Sequence, residues 1–570
     1  MAPRTSTTPP RQRYLKRHSA LLSERSSWLA HWRDLSEYIL PRRSRFLSSE
    51  RNVGGKKHAA IINGTATRAA RVLAAGMMAG ITSPARPWFR LTTPDAQLGK
   101  SARVREWLDA VEGDMRTALS KSNIYNALHS VYTDLGVFGT TAMLVDEDRE
   151  DGLRGYTLPV GQYTLANSDR MSVNALYREV TFTTGQLAEK FGLEACSPRV
   201  RDLLQRGDVD VPVDCLHVIE PNVQYEEGKL GPRGKRYRSC WMEVQSGTHE
   251  GLLAEGGYEE FPVLAPRWDV TGEDVYGSAP GMDALGDVKA LQRLELNAGK
   301  AAAKLIDPPM RGPAALANAR ASILPGDLTL VDVVAGGQKF EPAQDMNPLA
   351  VQVLEQKIRE HERRINAYFY ADLWLMMASS DSPQQTAREV AERHEEKMLQ
   401  LGPVLERLQD ELLDPLIERV FAILLRSHQL PPPPDELAGQ PLRVEYVSIL
   451  AQAQKMLGTS AVERLMSFAG NLSAVKPEVM DKVDADATLD VYADMLGTPS
   501  RLLLSPDDVE AKRAARAEAA AQQQAAEQAA QVAQGAKTLS EADMSGDTAL
   551  TRLLGNLGGG AAAAAPQPGG

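Results

Sequence analysis

Cysteine is scarce: Cys196, Cys215 and Cys240 are the only three in 570 residues, and none sits in a CxxC pair. An odd, unspaced set suits neither a disulfide framework nor a zinc site, so a reducing cytoplasm is the expected place of synthesis. Long apolar runs are lacking as well. The longest uncharged one, Val72–Ile81, is about half a membrane span. The basic, Pro-rich opening MAPRTSTTPPRQR is followed by no apolar signal region, which predicts a soluble, unsecreted protein that does not engage a membrane.

Signatures of catalysis are also missing. Without a GxxxxGK[ST] loop there is no phosphate cradle and no magnesium-holding hydroxyl, so ATP hydrolysis is not expected. Neither HExxH nor GxSxG occurs, and His394-Glu395-Glu396 lacks a second histidine one turn later, which reads as a solvated helix face. Asp481, Asp484 and Asp486 lack the glycine and terminal glutamate of a calcium loop and read as acidic surface. Asn63-Gly64-Thr65 matches a glycosylation acceptor, a chance match in an unsecreted chain. A non-enzymatic protein without cofactor or metal is expected.

What is present is ordinary globular material, 43% hydrophobic and 24% charged over 62.1 kDa, enough for several packed regions. The net charge of -10 is unevenly spread: residues 1–72 hold fifteen Lys/Arg against four Asp/Glu, whereas 474–510 hold three against nine. Arg42, Arg43 and Arg45 suit either nucleic-acid phosphates or an acidic neighbouring subunit.

Leu15, Leu22, Leu29, Trp32, Leu35 and Ile39 recur at near-helical spacing and predict an amphipathic helix over Tyr14–Leu40, ended by Pro41. Further helices are expected over Ala59–Ile81 and Ala102–Leu135. After Gly139, short β-favouring runs alternate with turn residues: Ala142–Val145, Tyr156–Leu158, Tyr163–Leu165, Ala175–Phe182, Cys215–Ile219, Ser239–Gln245 and Phe261–Trp268. No βαβ pattern accompanies them.

Gly281–Asp372 reads as helix, Pro/Gly-rich β insertion, helix. Leu291, Leu294, Ala298, Ala301 and Leu305 give the first helix one apolar face; Val351, Leu354, Ile358, His361, Ile365 and Tyr368 give the second the same 3,4 rhythm. The insertion, residues 306–346, is too small to fold alone. Trp374, Met376 and Met377 read as core filler at a helix end rather than as a channel lining. Thr386 and Glu389 form a capping-box signature opening a helix toward Ser427, with a kink expected at Gly402-Pro403. Residues 445–510 read as short helices, 511–534 as a marginal Ala/Gln/Glu-rich helix, and the last fifteen as a tail.

Four strings, in this order, resemble the podovirus (short-tailed bacteriophage) portal or head-to-tail connector family. They are Tyr38-Ile39-Leu40-Pro41-Arg42-Arg43-Ser44-Arg45-Phe46; Gly76-Met77-Met78-Ala79-Gly80-Ile81-Thr82-Ser83-Pro84 with Pro87-Trp88-Phe89; Gly136-Val137-Phe138-Gly139-Thr140; and Gly272-Glu273-Asp274-Val275-Tyr276-Gly277-Ser278-Ala279-Pro280-Gly281. The resemblance covers about residues 14–430. It implies a mainly α fold with an α+β wing, assembling as a ring. The family's parts map as wing 1–280 (α+β from about 140), stem helices 281–305 and 347–372, clip 306–346, tunnel loop 373–385, kinked wing helix and linker 386–434, crown 435–510, and an Ala/Gln-rich helix with a tail over 511–570.

The function so implied is a channel at one capsid vertex for packaging and ejecting double-stranded DNA. Its implied partners are eleven further copies in a ring of 12, the DNA, the packaging ATPase (terminase), a tail adaptor and capsid proteins. The chain would be made in the host cytoplasm and reside in the virion. Ser379, Ser380, Asp381, Ser382, Gln384 and Gln385 are the expected channel constriction, a short polar loop between strong helices. The alternative is a tail or collar adaptor without a DNA channel, against which the stem-clip-stem order argues.

Overall fold

The computed structural model of the protein describes residues 9–43, 59–95, 98, 101–245, 251–311, 341–342, 348–378, 401–437, 442–446, 462–473, 476–496, 504 and 506–541. It is mainly helical with antiparallel sheets. Two units separate, 1–99 with 103–498, and 100–102 with 499–570.

Helix α1 (Pro10–Tyr38) opens on proline, whose missing donor is harmless in a first turn. Its buried seam is Arg11, Tyr14, His18, Leu21, Arg25, Trp32 and Leu35, spaced by threes and fours apart from the seven-residue step at half-buried Trp28. Leu15, Leu22 and Leu29, expected on that face, are only half-buried. The seam begins polar and turns apolar because the sheet under its first half offers acceptors. Arg11 donates to the Glu243 and Val244 carbonyls at 3.2 and 3.0 Å, and Arg25 to Gly161 O at 3.0 Å and to Tyr163 O.

Helix α2 (Thr65–Gly80) leads to strand β1 (Phe89–Thr92), then α3 (Ala102–Lys121) and α4 (Ile124–Phe138). The single helix expected over 102–135 is thus two. The break lies at Asn123, whose side chain exchanges two 2.8 Å bonds with the backbone of Gly155 and so competes with helix continuation. Every residue of α4 from Val131 to Phe138 is buried. The helix ends on Gly139 at φ +77°, where an added Cβ would stand 2.1 Å from the Gly277 carbonyl oxygen.

Strands β2 (Ala142–Asp148), β3 (Gly152–Leu158), β4 (Tyr163–Asn167) and β5 (Val173–Thr183) follow, then helices α5 (Thr184–Phe191) and α6 (Pro198–Gln205) and strands β6 (Pro212–Pro221), β7 (Tyr237–Glu243), β8 (Ala254–Tyr258) and β9 (Val263–Leu264). They form an antiparallel sheet in order β3-β2-β9 and a second in order β4-β5-β6-β7-β8. On one face of the larger sheet Tyr177, Leu216, Val218 and Met242 meet Tyr14 and Leu21 of α1. On the other, Cys215 meets Leu187 of α5 and Val200 of α6. Coverage on both faces explains why β6 is buried without alternation from Cys215 to Glu220. All three thiols are free and buried, and burial pushes that of Cys215 up to about 12.

Helices α7 (Pro280–Ile306) and α8 (Pro348–Tyr368) pack along each other. The segment between them leaves and returns as an antiparallel pair, β10 (Met310–Arg311) with β11 (Glu341–Pro342); residues 312–340 lie outside the described set. Helix α9 (Ala371–Ala378) follows. Thr386, Glu389 and His394 lie outside the described residues.

Pro403 sits in the first turn of a helix beginning at Gly402, where proline is tolerated. The irregularity falls further on, as a π turn over Gln409–Leu413 directly before Pro415. An extra residue per turn there accommodates a proline that donates no bond. Glu445 and Tyr446, expected among short helices, instead belong to strand β12 (Arg443–Tyr446), paired antiparallel with β1. Valine and tyrosine there suit an extended chain, and β1 supplies the partner that spacing alone does not reveal. Residues 462–473 and Ala485–Leu496 are helical, the latter capped by Asp484, which accepts from the Ala487 amide at 3.0 Å. In the second unit, the helix Pro506–Glu541 keeps nearly all its described side chains exposed.

Gly139 and Gly152 both occupy left-handed backbone, at φ +77° and +78°, but Gly152 has open space where its Cβ would go. Gly152→Ala is expected to cost only the conformational term, about 1–2 kcal/mol. Gly139→Ala adds a clash with Gly277 and is expected to lower the thermal midpoint by clearly more; equal shifts for the two variants contradict this packing.

Candidate functional site

The paired helices divide into an anchored and an uncovered part. In α7, Ala284, Leu285, Val288, Leu291 and Gln292 are buried. Beyond Gln292 the face is not closed: Leu296, Leu305 and Ile306 are 45, 43 and 84% exposed, and Val353 of α8 is 56% exposed. Leu294, Ala298 and Ala301 of the expected stripe are half-buried, whereas Ile365 in the lower part of α8 is fully buried. An apolar stripe continued past the end of the core is what a contact with another chain requires.

Polar contacts fix the anchored part. His361 Nδ1 lies 2.7 Å from Asp287 Oδ1, tying α8 to α7, and Lys289 Nζ reaches Asp34 Oδ2 of α1 at 2.6 Å. His361, read from sequence as one more position on an apolar stripe, is a polar cross-link. The Asn63-Gly64-Thr65 turn is the junction. Asn63 Nδ2 donates to Glu295 Oε1 at 2.7 Å and to Glu362 Oε1 at 2.9 Å, one on each helix. Gln292 Oε1 accepts from the Ile62 and Asn63 amides at 2.7 and 2.8 Å, and its Nε2 donates back to Asn63 O. Sequence spacing carried no signal for this network, since its partners lie more than 220 residues apart.

The four strings named above meet around α4. Thr67 Oγ1 donates to Ile39 O at 2.8 Å, and Arg43 grips Asp134 of α4 through Nε and Nη2 at 2.9 and 2.8 Å. Leu73 of α2 packs on Gly136, and Thr82 Oγ1 lies 3.0 Å from the Tyr132 hydroxyl. Thr140 Oγ1 accepts from the Gly277 amide at 2.7 Å, and Gly281 stands against the backbone of Val137. Trp374 is 7% exposed and lies against Gly76, where any Cβ would come within 2.2 Å of its ring, so it is core. The side chains of Met376 and Met377 lie outside the described set.

Of the basic trio, Arg43 therefore pairs with Asp134, Arg42 is exposed but also makes a contact of its own, and Arg45 lies outside the described residues. So do the constriction candidates Ser379, Ser380, Asp381, Ser382, Gln384 and Gln385. By composition α7 and α8 are each near neutral, with four basic against three acidic residues. Among the described residues no His, Cys, Asp or Glu group has metal-holding geometry, and no helix is long and apolar enough to cross a membrane.

Burial pushes the Asp134 carboxyl up to about 6 while Arg43 pulls against it. Arg43→Ala is expected to cost about 3 kcal/mol, the lower end for removing one partner of a buried pair, since Arg43 is partly exposed. Adding Asp134→Asn should recover part of that loss in chemical denaturation; a double variant no more stable than Arg43→Ala contradicts the assignment.

Comparison with known proteins gives the same direction. The family model described as bacteriophage head to tail connecting protein matches residues 11–504. The chain is 43% identical over 558 residues to the portal protein of Salmonella phage epsilon15, covering 98% of this chain and 99% of that one. It is 45% identical over 545 residues to the probable portal protein of Bordetella phage BPP-1, covering 95% and 97%. Among solved structures, a chain of the neck of an empty GTA particle aligns at 11% identity and a TM-score of 0.33, over 76% of this chain and 89% of that one. With the family pattern matched across nearly every described element of its first unit, the chain belongs to the bacteriophage head to tail connecting proteins.

Proposed function

We propose that the chain is the repeating subunit of a ring-shaped channel at one capsid vertex, through which double-stranded DNA is packaged and ejected. The observation that carries this is the near-full-length identity to two phage proteins that bear portal names. The adaptor alternative is not favoured, because neither relative bears an adaptor's name. The uncovered upper face of α7 and α8 supports ring formation: a heterologous contact repeated to closure covers such a face in every copy. A portal subunit is a structural part, not an enzyme.

Within this reading, residues 1–280 form the wing, 281–305 and 347–372 the stem, 306–346 the clip and 373–385 the tunnel loop. The linker 386–434 returns to the wing, and the crown, 435–510, is joined to the wing through β12. Twelve copies make the ring, inside the virion, with the clip meeting first the terminase and then the tail adaptor. The channel must hold DNA without gripping it, because each Lys or Arg paired to a phosphate adds affinity that movement has to break. The near-neutral stem helices suit that requirement. Ser379–Gln385 is assigned as the constriction and Arg42 and Arg45 as an interface with DNA or an acidic neighbour.

In a phage lacking this gene product, supplying the native chain is expected to restore DNA-filled heads. A chain deleted for residues 379–385 should enter particles but leave heads empty or leaking DNA. Normal filling and retention with the deletion removes the constriction assignment; filled heads without any copy of the chain remove the portal reading.

A further inference from the structure

The turn joining β6 to β7 is an ordered extension, residues 222–236, and its rigidity comes from Asn222. The Asn222 amide donates to Arg236 O at 2.8 Å, and its side-chain Nδ2 donates to Pro232 O and Lys235 O at 3.0 and 2.9 Å. Its Oδ1 accepts from the Gln224 amide at 3.0 Å, and Glu226 N pairs with Arg233 O at 2.9 Å. A loop held by this many internal bonds turns its apolar side chains outward. Leu230 is 98% exposed and Val223 80%. The same segment carries four basic residues, Lys229, Arg233, Lys235 and Arg236, against Glu226 and Glu227; Lys229 pairs with Glu226 at 3.5 Å and Lys235 with Glu259 at 2.8 Å. An isolated exposed leucine means little, but a preordered loop presenting two of them loses little entropy on docking.

Elsewhere in the same unit, the β1–β12 ribbon and the helical stretch 402–426 enclose a groove of about 500 Å³. Its apolar lining includes Leu91, Ile417 and Phe421. Asp410, Asp414 and Glu418 line its helical side, four residues apart and so on one helix face, against a single guanidinium, Arg443, on the strand side. Desolvation, together with the charges of Asp414 and Glu260, raises the Glu418 carboxyl above its ordinary range. Carboxylates crowded at the edge of an apolar hollow favour a cationic, apolar-tipped occupant over a neutral or acidic one.

We infer that the Leu230 loop of one copy seats in the Asp410/Asp414/Glu418 groove of the next copy around the ring. This rests on the ring reading given above. A ring closed by rotation needs two different, complementary patches on every chain. The loop supplies an apolar tip with a basic collar and the groove an apolar floor with an acidic edge. The volume admits a loop tip rather than a single side chain.

Cysteine cross-linking tests the pairing, since the native thiols are buried. The doubly substituted chain Leu230→Cys with Glu418→Cys, assembled and mildly oxidised, is expected to run as a ladder of covalent multimers that neither single variant gives. Native-like rings in electron micrographs without the ladder overturn the inference and leave the ring reading standing; so does a disulfide confined to single chains, which would place the loop on its own groove. Absence of rings from the native protein overturns the ring reading, and the inference with it. Leu230→Asp, at a position exposed in the monomer, is expected to raise the concentration for half-assembly at least about tenfold; an unchanged concentration contradicts the docking.

Discussion

The fold depends on how closely other backbones approach the last two turns of α4. A helix buried on all sides cannot tolerate bulky neighbours everywhere, and this one solves the problem with small residues and donors aimed at its end. Gly136 receives Leu73, Gly139 and Gly277 meet backbone to backbone, and Gly281 opens α7 against Val137. Trp32 Nε1 donates to Phe138 O at 3.1 Å, satisfying a terminal carbonyl that burial would otherwise strand. Because α1, α2 and α7 all touch this helix, its packing sets the angle at which the paired helices leave the core.

A second constraint is polar. The first half of α1 is held to the larger sheet by charge-assisted bonds as well as by the apolar contact of Tyr14 and Leu21. Glu220 alone accepts from Arg13 at 3.1 Å, Arg17 at 2.8 Å and the Tyr177 hydroxyl at 2.7 Å. His18 stacks on Tyr177 and lies 3.0 Å from Glu179. Such bonds fix register more sharply than apolar contact, because a shift of one residue leaves several buried groups unpaired. The ion pair of Arg267 with Glu411 does the same where the π turn meets the sheet region, with the Arg267 amide adding a 2.9 Å bond to the same carboxylate.

Much of this was legible in the sequence where the period of apolar residues decides. The strand runs from Ala142 to Gln245, the two helices around the 306–346 insertion and the capacity of 511–534 for helix all follow from local pattern. The seam of α1 was read one position off, because leucines stand beside it and its true members include Arg11, His18 and Arg25. Periodicity counts apolar side chains and overlooks cations whose acceptors come from strands some 140 to 230 residues away. The strand Arg443–Tyr446 was missed for a related reason, since its partner β1 (Phe89–Thr92) lies more than 350 positions away. The family strings contain Gly76, Gly139 and Gly281 without a reason for them; the close approaches at these positions supply it.

Burial along α7 ends at Gln292, although the helix runs on to Ile306. On the ring reading proposed above, copies of the same chain cover the upper part of the helix pair, where Leu296, Ile306 and Val353 stand exposed. Electron microscopy of the purified native protein tests that most directly. Closed rings with a central hole and twelvefold symmetry are the expected image; a monodisperse compact monomer at assembly concentrations contradicts the account.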